Sequence, residues 1–128
     1  MDKLTRNSYP GLLCGIIILI LTAIPGSVFP RVKPIVGMDK VAHVIMYAGF
    51  SFLCIWGYRK PFISNGKSYQ KKALLLTAII SIAYGALTEI MQETIVPKRT
   101  GDWFDFLSDC LGTFVGLLFF WLFFKKRK

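Results

Sequence analysis

The sequence predicts an all-α integral membrane bundle of four transmembrane helices, with both termini cytoplasmic. Three observations carry that expectation. The 128-residue chain is 54% hydrophobic, with a mean hydropathy of +0.52, high for a water-soluble domain. Its apolar residues fall into four runs, each close to the roughly 20 residues a helix needs to cross hydrocarbon. Its Lys and Arg residues cluster between those runs rather than along one face, so the net charge of +9 reads as membrane topology and not as a nucleic-acid surface.

The first run extends from Gly11 to Ile24. Lys3 and Arg6 precede it and Pro25-Gly26-Ser27 follows, which are also the flanks of a signal peptide. No A-x-A-like cleavage site is present, so an uncleaved first helix is preferred. Pro25, Pro30 and Pro34 keep the next loop extended or turned. The second run is Val41 to Tyr58, and Ser64-Asn65-Gly66-Lys67 reads as a turn in the loop after it. The third run is Ala73 to Met91, closed by Pro97, and the fourth is Trp103 to Phe124. With loops this short, residues 1–128 form a single domain.

Orientation follows from the basic residues. A cytoplasmic N-terminus puts eleven Lys and Arg on the inside segments and only Arg31, Lys33, Lys40, Lys98 and Arg99 outside. Tyr9, Trp56, Tyr58, Trp103 and Trp121 lie near span ends, where an interfacial aromatic belt belongs. Cys14, Cys54 and Cys110 sit inside apolar runs and make neither a disulfide framework nor a CxxC metal pattern.

The polar residues of the spans carry the functional expectation. Asp39, Lys40 and His43 share one face of the second helix, with Tyr47 one turn deeper. Capping of that helix by Asp39 is the competing structural reading. In the third helix Ser81, Gly85, Glu89 and Gln92 form a stripe, and the small residues let a neighbouring helix approach. A carboxylate such as Glu89 costs at least about 2.5–3.5 kcal/mol within a span, so it calls for a partner, a proton or a wet cavity. Asp102, Asp105 and Asp109 recur at i, i+3 and i+7 and lead into Gly112 and Gly116, a GxxxG pair that reads first as helix packing. The derived topology brings Asp39, Lys40, His43, Glu89, Gln92, Arg99, Asp102, Asp105 and Asp109 to the outer half of the bundle. A salt-bridge network with no ligand is the structural alternative.

Asp39-Lys40-x-x-His43, Gly85-x-x-x-Glu89-x-x-Gln92, Pro97-x-Arg99, and Asp102-x-x-Asp105 leading into Leu111-Gly112-x-x-x-Gly116 resemble the motifs of the VanZ-like family of bacterial membrane proteins. The resemblance runs from about Asp39 to the fourth span. It departs at Asp109, where the family more usually carries Asn, and the first span adds no family signature. It implies a multi-pass protein of the bacterial cytoplasmic membrane with an envelope-related role, such as resistance to the glycopeptide teicoplanin.

Three functional classes follow. The leading one is a binding protein in which Lys40 and Arg99 meet an anionic lipid or drug headgroup, while the carboxylates and Gln92 orient its polar remainder. The expected partners are membrane lipids, a lipid-linked cell-wall precursor or a lipoglycopeptide; no nucleic acid is expected. The second is a membrane-embedded enzyme with His43, Glu89, Asp102 and Asp105 as acid and base, which the lack of HExxH and G-x-S-x-G makes the lesser reading. The third is a small lipid transporter or flippase built as a homo-oligomer. No cofactor is expected, and no metal is assigned: one His with several carboxylates could hold a divalent cation, but without HExxH or a second His such ligation rests on loose geometry.

Overall fold

The computed structural model describes residues 3–23, 38–95 and 103–125. They form α1 (Lys3–Ala23), α2 (Met38–Trp56), the short α3 (Arg59–Ser64), α4 (Gly66–Thr94) and α5 (Trp103–Phe124), with no strand among them. Expectations for Pro25, Pro30, Pro34 and Pro97 concern residues outside this set.

The four long helices contain most of each of the four apolar runs; α1 begins at Lys3, eight residues before the first run, and the larger difference lies between the second and third. Residues 59–72, expected as a loop, are helical: α3 and the first turns of α4 occupy them. Gly66, at φ 83°, supplies the left-handed residue that lets the chain reverse. The side-chain amide of Gln70 then donates to the Phe62 carbonyl at 2.9 Å, satisfying one end carbonyl of α3. Phe62 itself is fully buried against Ile55, Leu117 and Phe120, so packing holds α3 where six residues alone would not form a stable helix.

Helix pairing is set by small residues. The closest pair is α2 and α5, where Val44 and Ala48 of α2 lie against Gly112 and Gly116 of α5. A Cβ at either glycine would run into the backbone of α2. The GxxxG pair is thus used within the chain. Gly11 of α1 also lies close to Cys54 of α2, and Gly85 of α4 faces Asp109 of α5. These contacts fix direction: Val44 with Gly112 and Ala48 with Gly116 make α2 and α5 parallel. Gly11 with Cys54 and Gly15 with Phe50 make α1 and α2 antiparallel.

The bundle is apolar outside and buries polar residues alongside its apolar clusters. On α4, Leu75, Leu76, Ile79, Ile80, Leu87 and Ile90 are exposed, whereas Thr77, Ser81, Gly85, Thr88, Glu89 and Gln92 are buried. Water would favour the reverse arrangement, and hydrocarbon favours this one. By length and composition α4 and α5 are each able to cross a membrane, while the apolar parts of α1 and α2, Ser8–Ala23 and Lys40–Trp56, are shorter. A membrane bundle is compatible with all four. At one end Arg59 lies over the Trp56 ring and Lys125 over the Trp121 ring, the basic and aromatic pairing suited to a lipid–water boundary.

Candidate functional site

The other end gathers the ionisable groups. Parallel packing of α2 and α5 brings the first turns of both helices together, and antiparallel α4 delivers its C-terminal half to the same place. Lys40 and His43, three residues apart on α2, therefore meet Asp105 and Asp109, four apart on α5.

The Lys40 ammonium lies 2.6 Å from Asp105 Oδ1, and its side chain retains 30% exposure. His43 Nδ1 donates to Asp109 Oδ1 at 2.7 Å, and His43 Nε2 stands 3.7 Å from Asp105 Oδ2. Asp109 is completely buried, and its Oδ2 accepts no hydrogen bond. Glu89 is buried beside them; one ligand atom each from His43, Glu89 and Asp105 lie within 4.8 Å of one another. Buried ionisable groups in an apolar bundle are costly unless they are paired, and this concentration of them at one end is the candidate site.

Below this cluster a ladder of hydroxyls continues the polar interior. Ser81 and Thr113 share a 2.6 Å hydrogen bond, Thr113 Oγ1 donates back to the Asp109 carbonyl, and Ser51 Oγ donates to the Thr113 carbonyl. Two turns further along the same face of α4, the hydroxyls of Thr88 and Tyr47 lie 3.0 Å apart. Thr88, Thr113 and Ser51 are missing from the sequence expectation, since a lone Ser or Thr in an apolar run is ordinary there. Thr88 and Thr113 do continue the helical stripes of Gly85 and Asp109, which is the signal that finds them.

Of the nine expected site residues, the structure brings Lys40, His43, Glu89, Asp105 and Asp109 together. Gln92 is buried but turned toward α1, where its amide donates to the Thr22 carbonyl at 3.5 Å. It therefore ties α4 to α1. Arg99, Asp102 and the side chain of Asp39 lie outside the described residues, and with them the test of Asp39 as a cap.

An apolar helical bundle with a buried ionisable cluster at one end defines a small membrane-type protein with a polar site among its helices. The family model described as VanZ/LLP1 matches residues 9–124, nearly the whole chain, and the protein belongs to the VanZ-like family. No curated protein and no solved structure matches the chain.

Proposed function

We propose that this VanZ-like protein is a multi-pass protein of the bacterial cytoplasmic membrane. Its ionisable end faces the extracytoplasmic side and binds the anionic headgroup of a membrane-borne molecule, a lipid-linked cell-wall precursor or a lipoglycopeptide such as teicoplanin. The observation that carries the reading is the Lys40–Asp105 pair at the mouth of the buried cluster. An ammonium has three donors, and Lys40 keeps part of its side chain exposed, so it can hold Asp105 and still donate to a phosphate or carboxylate arriving from the bilayer surface. Arg99 in the adjoining segment supplies a second cation with fork geometry suited to phosphate. Behind Lys40, the side chains of His43, Asp109 and Glu89 give the polar part of the headgroup partners within the bundle.

The ion pair also changes the chemistry of that reading. Lys40 is already neutralised, so affinity for a simple anion is modest, and selectivity comes from the carboxylates behind it, which reject ligands lacking hydrogen-bond donors. The test is protection from a lipoglycopeptide in cells that lack their own resistance. Glu89→Gln and Arg99→Ala chains, present in the membrane at the parental level, should lose protection; equal protection by both would refute this function.

Asp109–His43 is the one feature that favours catalysis, since a carboxylate orienting an imidazole is a common base arrangement. Under that second reading His43 and Asp105 act on a lipid-linked substrate. Incubation of the purified chain with polyprenyl phosphates and phospholipids, followed by headgroup analysis, decides it: unchanged lipids leave binding as the function.

A further inference from the structure

His43, Glu89 and Asp105 come from α2, α4 and α5, and no metal motif marks them in the sequence. The fold nevertheless sets one ligand atom of each within 4.8 Å of the other two, all on buried residues. We infer that these three side chains bind one divalent first-row cation.

The supporting geometry lies around the three ligands as much as between them. Asp109 receives the Nδ1 hydrogen of His43, which turns Nε2 toward Asp105. This is the carboxylate–imidazole arrangement that orients and strengthens metal-ligating histidines. Lys40 holds Asp105 Oδ1 and leaves Oδ2 as the oxygen facing the ring. At 3.7 Å that oxygen is beyond hydrogen-bond range of Nε2, so the two atoms face each other across a gap. Atoms coordinated to one ion at about 2.0–2.2 Å stand some 3–4 Å apart, and a small inward movement of the three side chains makes that geometry. Asp109 Oδ2, fully buried and without a hydrogen bond, leaves the charge of Asp109 dependent on its link through the ring.

Charge argues the same way. Among the described residues at the cluster there are three carboxylates, those of Glu89, Asp105 and Asp109, one ammonium, that of Lys40, and one imidazole, which ligates a metal in its neutral form. A divalent cation balances them. One imidazole and two carboxylates suit Mn²⁺, Fe²⁺ or Zn²⁺ better than the soft Cu⁺. Three protein ligands leave open positions for water; that one of these takes a phosphate oxygen rests on the headgroup reading above, whereas the cation site does not.

The experiment uses the full chain without a polyhistidine tag, in phosphate-free detergent, stripped of metal and titrated with Mn²⁺. Free Mn²⁺ is followed by electron paramagnetic resonance, and Zn²⁺ is added as competitor. The expected result is one site per chain, with ¹⁴N coupling from one imidazole in the bound spectrum. That coupling identifies His43, because the chain contains a single histidine. Glu89→Gln should abolish the site, Asp109→Asn should weaken it about 10- to 100-fold, and Ser108→Ala should leave it unchanged. Absence of a bound fraction, or a bound ion without ¹⁴N coupling, would overturn the inference, as would parental affinity in a folded Glu89→Gln chain. If Glu89→Gln fails to fold, the spectrum of the parent decides. Protection from a drug is not measured here, so failure of the headgroup reading leaves this result standing.

Discussion

His43 of α2 and Asp109 of α5 are joined by a 2.7 Å hydrogen bond across 66 positions of sequence, inside a bundle whose outer surface is apolar. The bond joins the two most closely packed helices. The Asp109 carboxylate accepts the Nδ1 hydrogen, as the Asn expected there from the family resemblance would, and adds a charge beside the ring. Either side chain preserves the acceptor, and only Asp109 brings the charge.

Asp109→Leu should therefore destabilise the protein by about 2 kcal/mol, the range for a lost hydrogen bond to a charged group. Asp109→Asn should recover most of that loss. Thermal unfolding of the detergent-solubilised chains measures both, and equal midpoints for Leu and Asn would contradict the role assigned to the bond.

Close approach of α2 and α5 at Gly112 and Gly116 predicts sharp position dependence. A methyl group at either meets backbone atoms of α2, which cannot rotate away, whereas a methyl at Gly49 meets nothing within 4 Å. Gly116→Ala is expected to cost about 1–3 kcal/mol as overpacking. Gly49→Ala should be neutral or gain slightly from helix propensity. Unfolding midpoints of the two variants should separate clearly.

The Tyr84 hydroxyl donates to the Gly15 carbonyl, and its ring stacks on Phe50 at 5.1 Å. Tyr84→Phe keeps the ring and removes the link to α1, with an expected loss of about 1 kcal/mol. The loss should appear in α1 first, as faster proteolysis or hydrogen exchange there than in α5.

Membrane orientation is testable by labelling. In a chain whose Cys14, Cys54 and Cys110 are replaced by Ser, Asn65→Cys between α3 and α4 should react with an impermeant thiol reagent only from the cytoplasmic side. Ile95→Cys at the end of α4 should react from the outside. Labelling of both from one side would overturn the proposed topology.

Local composition made much of this legible. Apolar runs mark α1, α2, α4 and α5 because helix formation in an apolar medium depends on each segment satisfying its own backbone. The stripes through Glu89 and Asp109 were visible because residues three and four apart share a helix face. α3 was not legible, since its six residues are held by burial of Phe62 against α2 and α5 and by a distant amide, Gln70. Nor could periodicity show that Gln92 turns to Thr22, for the direction of a buried amide depends on which helix lies opposite.

By itself, the sequence determined which apolar segments become the four long helices, which of their faces are polar, and the family to which those faces belong. The tertiary structure alone decided the pairings: Lys40 with Asp105, His43 with Asp109, and Glu89 within reach of both helices. The physical reason is register. Hydropathy is a property of one segment, but which turn of α2 meets which turn of α5 is settled by where their backbones touch, at Val44 against Gly112 and Ala48 against Gly116. A shift of one turn would leave every helix intact and take the site apart.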